Sequence, residues 1–348
     1  MESWIQTATR AWPGLVVADA PYGTGLINDT RKGTYAGAPI VLQRVHPAFA
    51  SSVHDDIEAV TGHLAARQMT TTRLVRTHAG ELSTADDEGR SVRVLTFVDG
   101  ASRDKLPDGP AAEAAGALVA RFHVALLDLE HTYVHTRPGI HDVPYRLRGL
   151  EDALLAHRAH RLYDAVAPLA DQIRDAAASF LGPNPTRLRH AHGDLKASNL
   201  LFADDGAGIT IVDLDTIAAM SWPFEMGDAL RSWCNPHGED VSSPSIDVGL
   251  FEAALRGYAR HADEIDLEQA EIEALVSGVR TIATELAARF LTDALEEKYF
   301  GWDPTRYATR GDHDLIRARG QWSLAESVLT RRSELEGLVV RTLPRPRG

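Results

Sequence analysis

One stretch limits what this chain can become more than any other. It is His192-Gly193-Asp194-Leu195-Lys196-Ala197-Ser198-Asn199, followed by Ile209-Thr210-Ile211-Val212 and then Asp213-Leu214-Asp215. The first part is polar and reads as a loop carrying an acid, Asp194, and an amide, Asn199, five residues apart. The second part is short, apolar and β-branched, the signature of a buried strand, and it ends on Asp213. Such a set suits phosphoryl transfer. One carboxylate orients an alcohol and accepts its proton, while an amide oxygen and a second carboxylate hold magnesium against phosphate oxygens.

The pattern resembles the catalytic loop of the kinase superfamily in its HGDxxxxN form, as in aminoglycoside phosphotransferases and choline kinases. Protein kinases carry H-R-D-x-x-x-x-N and then Asp-Phe-Gly. Here Gly193 stands in place of the arginine and Asp213-Leu214-Asp215 in place of Asp-Phe-Gly. Both departures point to small-molecule kinases. The resemblance implies Asp194 as the base, Asn199 and Asp213 as magnesium ligands, and ATP as the donor. His192, Lys196, Asp215 and Asp228 are expected to support them.

Bulk properties exclude several other classes. The chain has 348 residues, 44% of them hydrophobic and 24% charged, enough for two lobes with a sizeable core. A net charge of −13 argues against a nucleic-acid partner, which would need a basic surface. A single cysteine, Cys234, rules out an internal disulfide and fits a reducing, cytoplasmic setting. No apolar run is long enough to span a membrane, and Met1-Glu2-Ser3-Trp4 is not the start of a signal peptide. A monomer or homodimer is expected.

Along the chain, strand patterns precede helix patterns, which predicts a segregated α+β architecture. The resemblance to kinases implies a bilobal, protein-kinase-like fold, with a small antiparallel-sheet N-lobe expected over residues 1–98 and a larger, mostly helical C-lobe over 99–338. Residues 339–348 are read as a flexible tail. A short helix and a strand at Leu15 to Ala18 lead into the turn Tyr22-Gly23-Thr24-Gly25 and then Leu26 to Thr30. This glycine-containing hairpin suits a nucleotide cover, with Gly25, Asn28 and Thr30 near the phosphates. In Ile40-Val41-Leu42-Gln43-Arg44, alternation puts Arg44 on the face of Ile40 and Leu42. Arg44 is the candidate cation for the phosphates, with Asp55 or Glu58 of the following helix, 51–68, as its partner. Strands follow at Leu74-Val75 and Val92 to Val98. The break at Asp99-Gly100 suits a hinge where backbone near Val98 meets an adenine edge. Helices are predicted over 111–128, 150–180, 247–262, 266–298 and 312–338, with a break at Pro183-Asn184-Pro185.

Further stretches resemble one branch of the superfamily, the N-acetylhexosamine 1-kinases. They include Gly25-Leu26-Ile27-Asn28-Asp29-Thr30, Val41-Leu42-Gln43-Arg44, Gly227-Asp228-Ala229-Leu230-Arg231, Arg289-Phe290-Leu291-Thr292-Asp293 and Tyr299-Phe300. That resemblance implies phosphorylation of the anomeric hydroxyl of a free N-acetylhexosamine, with Arg289 and Tyr299 contacting the sugar. Two departures fall in the acceptor pocket. Leu26 stands where the branch has histidine, and the segment after Asp293 is one residue shorter. An aminoglycoside or other antibiotic phosphotransferase is the alternative, with Asp293, Glu296 and Glu297 lining a pocket for a cationic substrate. A non-catalytic nucleotide-binding protein of kinase shape is a third reading. The base and both metal ligands standing together argue against it.

Overall fold

The structure, a computed structural model, describes residues 2–23, 27–135, 139, 141–180 and 186–344. The turn at Thr24, Gly25 and Leu26, the break at Pro183 to Pro185 and the end of the tail from 345 lie outside them. The chain divides into two compact units. The first comprises Met1–Asp99, Asp128–Thr136 and Val212–Ile217, and the second Gly100–Leu127, Arg137–Ile211 and Ala218–Gly348.

In the first unit, helix α1 (Ser3–Ala11) precedes the strands β1 (Val16–Pro21), β2 (Asp29–Tyr35) and β3 (Ala38–Arg44). Helix α2 (Val53–Ala66) follows, then β4 (Leu74–Val75), β5 (Thr84–Ala85) and β6 (Ser91–Thr96). The sheet runs in the order β1-β2-β3-β6-β4, with β5 also on β6, and every pairing is antiparallel. Alternation in β3 and β6 gives the sheet two distinct faces. Ile40, Leu42, Val92 and Val94 form one core cluster with Trp4, Ile5, Ala8 and Trp12 of the N-terminal segment. Trp12 is fixed by donating its indole N–H to the Val75 carbonyl at 2.9 Å. The opposite face carries Gln43 and Arg93, register partners across β3 and β6.

The second unit is mostly helical: α3 (Gly109–Ala125), α4 (Val143–Ala156), α5 (Tyr163–Phe180), α6 (Trp222–Trp233), α7 (Val248–Ala259), α8 (Gln269–Glu296), α9 (Arg310–Thr330) and α10 (Arg332–Thr342). Its short strands are β7 (Leu188–Ala191), β8 (Leu200–Phe202), β9 (Gly208–Ile211) and β10 (Ala218–Ser221). They pair as two antiparallel ribbons, β7 with β10 and β8 with β9. The long α8 is the central post. A capping box between Glu268 and Glu271 starts it, and Glu297 in a left-handed conformation ends it. Its apolar residues join Leu150, Val166, Ile173 and Leu315 in one core cluster. Helix α6 crosses α8 closely. A Cβ on Gly227 would stand 2.7 Å from the carbonyl carbon of Gly278, so only glycine fits there.

Several boundaries differ from the sequence reading, among them the tail read as flexible from 339, because α10 runs to Thr342 with Val339 buried. The helix expected over 150–180 is two, α4 and α5. The one expected over 312–338 breaks at Arg331 into α9 and α10. Helix α6 was not predicted at all. Eleven of its residues are buried, so its polar residues Glu225, Asp228 and Arg231, three apart, face other parts of the protein and no exposed face marks the helix.

Candidate active site

In the second unit, Asp194 sits in the loop between the two ribbons, after β7 and before the helical turn Ala197–Asn199 that leads into β8. Gly193 makes the bend with φ +80°, a conformation cheap only for glycine. The two residues read as a pair do meet. Asn199 donates its Nδ2 to Oδ2 of Asp194 at 3.0 Å and to the Asp194 carbonyl at 2.8 Å. With the nitrogen spent on Asp194, the amide presents its other end, the carbonyl oxygen a hard cation takes. Lys196 places Nζ 2.9 Å from the same carboxylate. Burial alone would raise the Asp194 carboxyl, but the Lys196 ammonium, helped by His192 and Arg231, outweighs it and holds the pKa at about 2. Asp194 is therefore an anion at neutral pH. It can orient a hydroxyl, and it takes the proton only as the new P–O bond makes that proton acidic.

The loop is held from α6, which sequence reasoning missed. Glu225, buried in its first turn, accepts the amide N–H of His192 at 2.7 Å and of Gly193 at 2.9 Å. His123 stands 3.5 Å from Glu225 through Nε2 and 2.8 Å from the Tyr258 hydroxyl through Nδ1. Trp222 donates to that hydroxyl at 2.7 Å. A carboxylate only accepts, so Nε2 carries the proton toward Glu225, and in that neutral tautomer Nδ1 accepts from the Tyr258 hydroxyl. Further along, Ser232 accepts the Ala197 N–H and Trp233 donates to the Leu195 carbonyl. His192 itself is fully buried, and its Nδ1 takes the Asp194 N–H at 3.3 Å. Asp228, a turn beyond Glu225, holds Arg231 at 2.7 and 2.9 Å. Burial raises its carboxyl; Arg231 opposes the rise and Asp194 adds to it.

The acceptor-side candidates are also in this unit. The guanidinium of Arg289 lies 5.8 Å from the Tyr299 ring centroid and 5.3 Å from that of Phe300, so Arg289 and Tyr299 are neighbours. Asp293 is placed differently from expectation. It accepts the backbone N–H of Lys298, Tyr299 and Phe300 at 2.7–2.8 Å, closing the turn after α8. With both oxygens committed to amides and 3% exposure, it shapes the Tyr299 loop and is not a contact for substrate. Glu297 pairs with His160 and Arg161.

In the first unit, Asp213 adopts φ +66° and opens the helical turn Leu214–Thr216. That left-handed backbone costs a non-glycine residue about 1 kcal/mol and has to be held. Two residues on, Asp215 is 2% exposed. Arg93 donates to its Oδ1 at 2.5 Å and Asn28 to its Oδ2 at 2.9 Å. Burial would raise the Asp215 carboxyl, and the Arg93 guanidinium more than reverses this. Asn28 also accepts the His46 N–H, and Thr30 lies 3.5 Å from the Gln43 amide. Val98 is half-buried just past β6. Gly25 lies outside the described residues.

Arg44 corrects the sequence reading. It points to the α1 face of the sheet and is engaged by Asp86 at 2.5 Å, Glu88 at 2.8 Å and Asp29 at 3.7 Å. Neither Asp55 nor Glu58 is its partner. Glu58 faces Arg73 and Arg76. The reason is the turn before β6. The amides of Glu88 and Arg90 fix Asp86, and its second oxygen then claims Arg44. Asp56 of α2 is fully buried and accepts the N–H groups of Val134 and His135.

Residues 20–263 match the family described as APH, phosphotransferase enzyme family. Among solved structures, the chain is similar to a microcompartment-associated aminopropanol kinase, at 17% identity and TM-score 0.64, covering 96% of this chain and 98% of that one. It is also similar to an aminoglycoside phosphotransferase from Alicyclobacillus acidocaldarius, at 15% and 0.59, over 95% and 96%. A choline kinase from Cryptosporidium parvum matches at 12% and 0.55, over 96% of each chain. These likenesses carry the fold: the α+β architecture expected from the order of strands and helices, in the protein-kinase-like form that the resemblance implied.

Proposed function

The chain belongs to the phosphotransferase enzyme family, and from that premise we propose that it moves the γ-phosphoryl group of ATP to a hydroxyl of a small uncharged molecule. A free hexose or N-acetylhexosamine is the acceptor we favour, phosphorylated at the anomeric position. The observation that carries the reading is the Asp194 carboxylate, ionised and fixed between Asn199 and Lys196. Asp194 holds the acceptor hydroxyl in line and receives its proton as the P–O bond forms. Lys196 and Asn199 keep that carboxylate in one orientation, so little reorganisation accompanies the transfer. The chemistry of the donors fits a hard divalent cation. Asn199 through Oδ1 and Asp213 through its carboxylate are each an oxygen donor of the kind magnesium takes, and magnesium would neutralise phosphate charge when bound.

A polycationic acceptor is the competing reading, since one similar structure is an aminoglycoside phosphotransferase. It needs carboxylates free for amines. Of the three acids expected to supply them, Asp293 is taken by backbone amides and Glu297 by His160 and Arg161. Arg289 stands beside Tyr299, where it would repel a cation and suit a hydroxyl or acetamido oxygen. The test is ADP release with ATP and magnesium across a panel of free hexoses, N-acetylhexosamines and amino-sugar antibiotics. Turnover with the neutral sugars is expected. Turnover confined to the polycations would overturn the assignment.

A further inference from the structure

A buried cation does sit in the sheet, on β6 and on the face opposite Arg44, but its partners are Gln43 and Asp215. We propose that Arg93 is a positioning residue: through Asp215 it fixes the turn Val212–Ile217, and with it the direction of the Asp213 carboxylate. Its bearing on catalysis rests on the reading of Asp213 as a metal ligand. The clamp on the turn does not.

The geometry is a closed set of hydrogen bonds. Arg93 is 1% exposed. Its Nε and Nη2 both donate to Oε1 of Gln43, at 2.9 and 2.8 Å, and its Nη1 donates to Asp215. The second oxygen of Asp215 takes Asn28, and the Asn28 carbonyl oxygen takes the His46 N–H at 2.8 Å. Gln43 therefore aims the guanidinium, and Asn28 finishes the carboxylate. A buried ion pair is rarely the cheapest way to fill a core, because two charges leave water. It is an effective way to fix direction, because a guanidinium fork and a carboxylate meet in few geometries.

What this set fixes is informative. The backbone between Asp213 and Asp215 is the strained start of a short helical turn. With Asp215 anchored on β6, Asp213 has little freedom left. From α2, His54 completes the surroundings. Its Nδ1 binds the Ser51 carbonyl at 2.7 Å, and burial first, then the nearby Arg93 charge, push its pKa down to about 4. It is thus neutral and does not compete with Arg93 for Asp215. The first unit includes Val212–Ile217, though more than a hundred residues separate that segment from β6.

Hydrogen–deuterium exchange of the metal-free full chain tests the clamp. Arg93→Met should raise exchange of the 212–217 amides at least tenfold, with the amides of α8 unchanged, and Arg93→Lys should recover part of the protection. The magnesium concentration needed to support binding of a non-hydrolysable ATP analogue should rise about tenfold in the same variant. Asn28→Ala, which removes one bond to the same carboxylate, should show the same changes at about threefold, and serves if Arg93→Met does not fold. Wild-type protection of 212–217 in a folded Arg93→Met or in Asn28→Ala would overturn the clamp. Lost protection with unchanged magnesium dependence would overturn the link to Asp213. Lost protection in a chain whose wild type transfers no phosphoryl group would leave the clamp standing and remove the proposed function instead.

Discussion

The loop that carries Asp194 and the turn that carries Asp213 are held by different means. Around Asp194 the closest bonds are local, to Lys196 and Asn199, and the brace is a helix terminus whose Glu225 accepts backbone amides. Around Asp213 the anchor is an ion pair between residues 122 positions apart, finished by an asparagine 187 positions away. The first arrangement leaves a carboxylate half-buried and charged, ready for a ligand. The second spends its charges on each other and exports only direction. Preorganisation can take either form: a group whose charge is kept available, or a group whose orientation is settled in advance.

The contrast can be broken first at Asp194. Asp194→Asn should lower kcat by about a thousandfold or more, worth ~4 kcal/mol of transition-state stabilisation. Thermal unfolding should stay within a few degrees of wild type, because the substituted amide still meets Asn199. A large loss of stability in that variant would mean Asp194 is structural.

The two units should also answer pH in opposite directions. In the second, burial first and then the Asp293 charge push Asp314 up to about 8. Asp314 stays protonated in the fold while it ionises in the unfolded chain above about pH 4. Stability should therefore fall as pH rises from about 4 to about 8, by about 5 kcal/mol at most. Asp314→Asn should flatten that limb. In the first unit, His54 stays neutral down to about pH 4 but protonates near 6.5 when unfolded. Stability there is lost as pH falls through that window, by up to about 3 kcal/mol, and His54→Gln should flatten it. Denaturant unfolding from pH 4 to 9 measures both limbs. The same limb moved by both variants would contradict the assignment.

A smaller effect sharpens the comparison from the other side. Glu225→Ala leaves two loop amides without their acceptor and should cost about 2–3 kcal/mol. It should lower kcat more than it raises the KM for ATP, whereas Glu225→Gln, which keeps one acceptor oxygen, should lie between. Equal kcat in wild type and Glu225→Ala would show that the loop holds its shape without α6.

Much of this was legible in the chain before folding. Asp194 and Asn199 are a short-range pair, so spacing alone brings them together. The antiparallel sheet and the helical second half follow from period and order. What was not legible depends on register or on complete burial. Arg44 looked like the strand cation because alternation says which residues share a face, not which face α1 covers; Trp4 and Trp12 decide that. Arg93 becomes the partner of Asp215 only once β6 is registered against β3. Glu225 lies on a helix whose polar residues, Glu225, Asp228 and Arg231, point inward, so an acid there read as solvent-facing would be misplaced. Asp293 had a readable signal that went unused: an acid at a helix end, just before a run of residues whose amides need an acceptor.

The most direct test of the central claim is phosphorus NMR of the full chain with ATP, magnesium and a free N-acetylhexosamine, run in parallel with Asp194→Asn. We expect ADP and a sugar phosphate from the wild type, with the phosphorus on the anomeric oxygen, and intact ATP from the variant. The same sugar phosphate formed at an undiminished rate by Asp194→Asn would contradict the account.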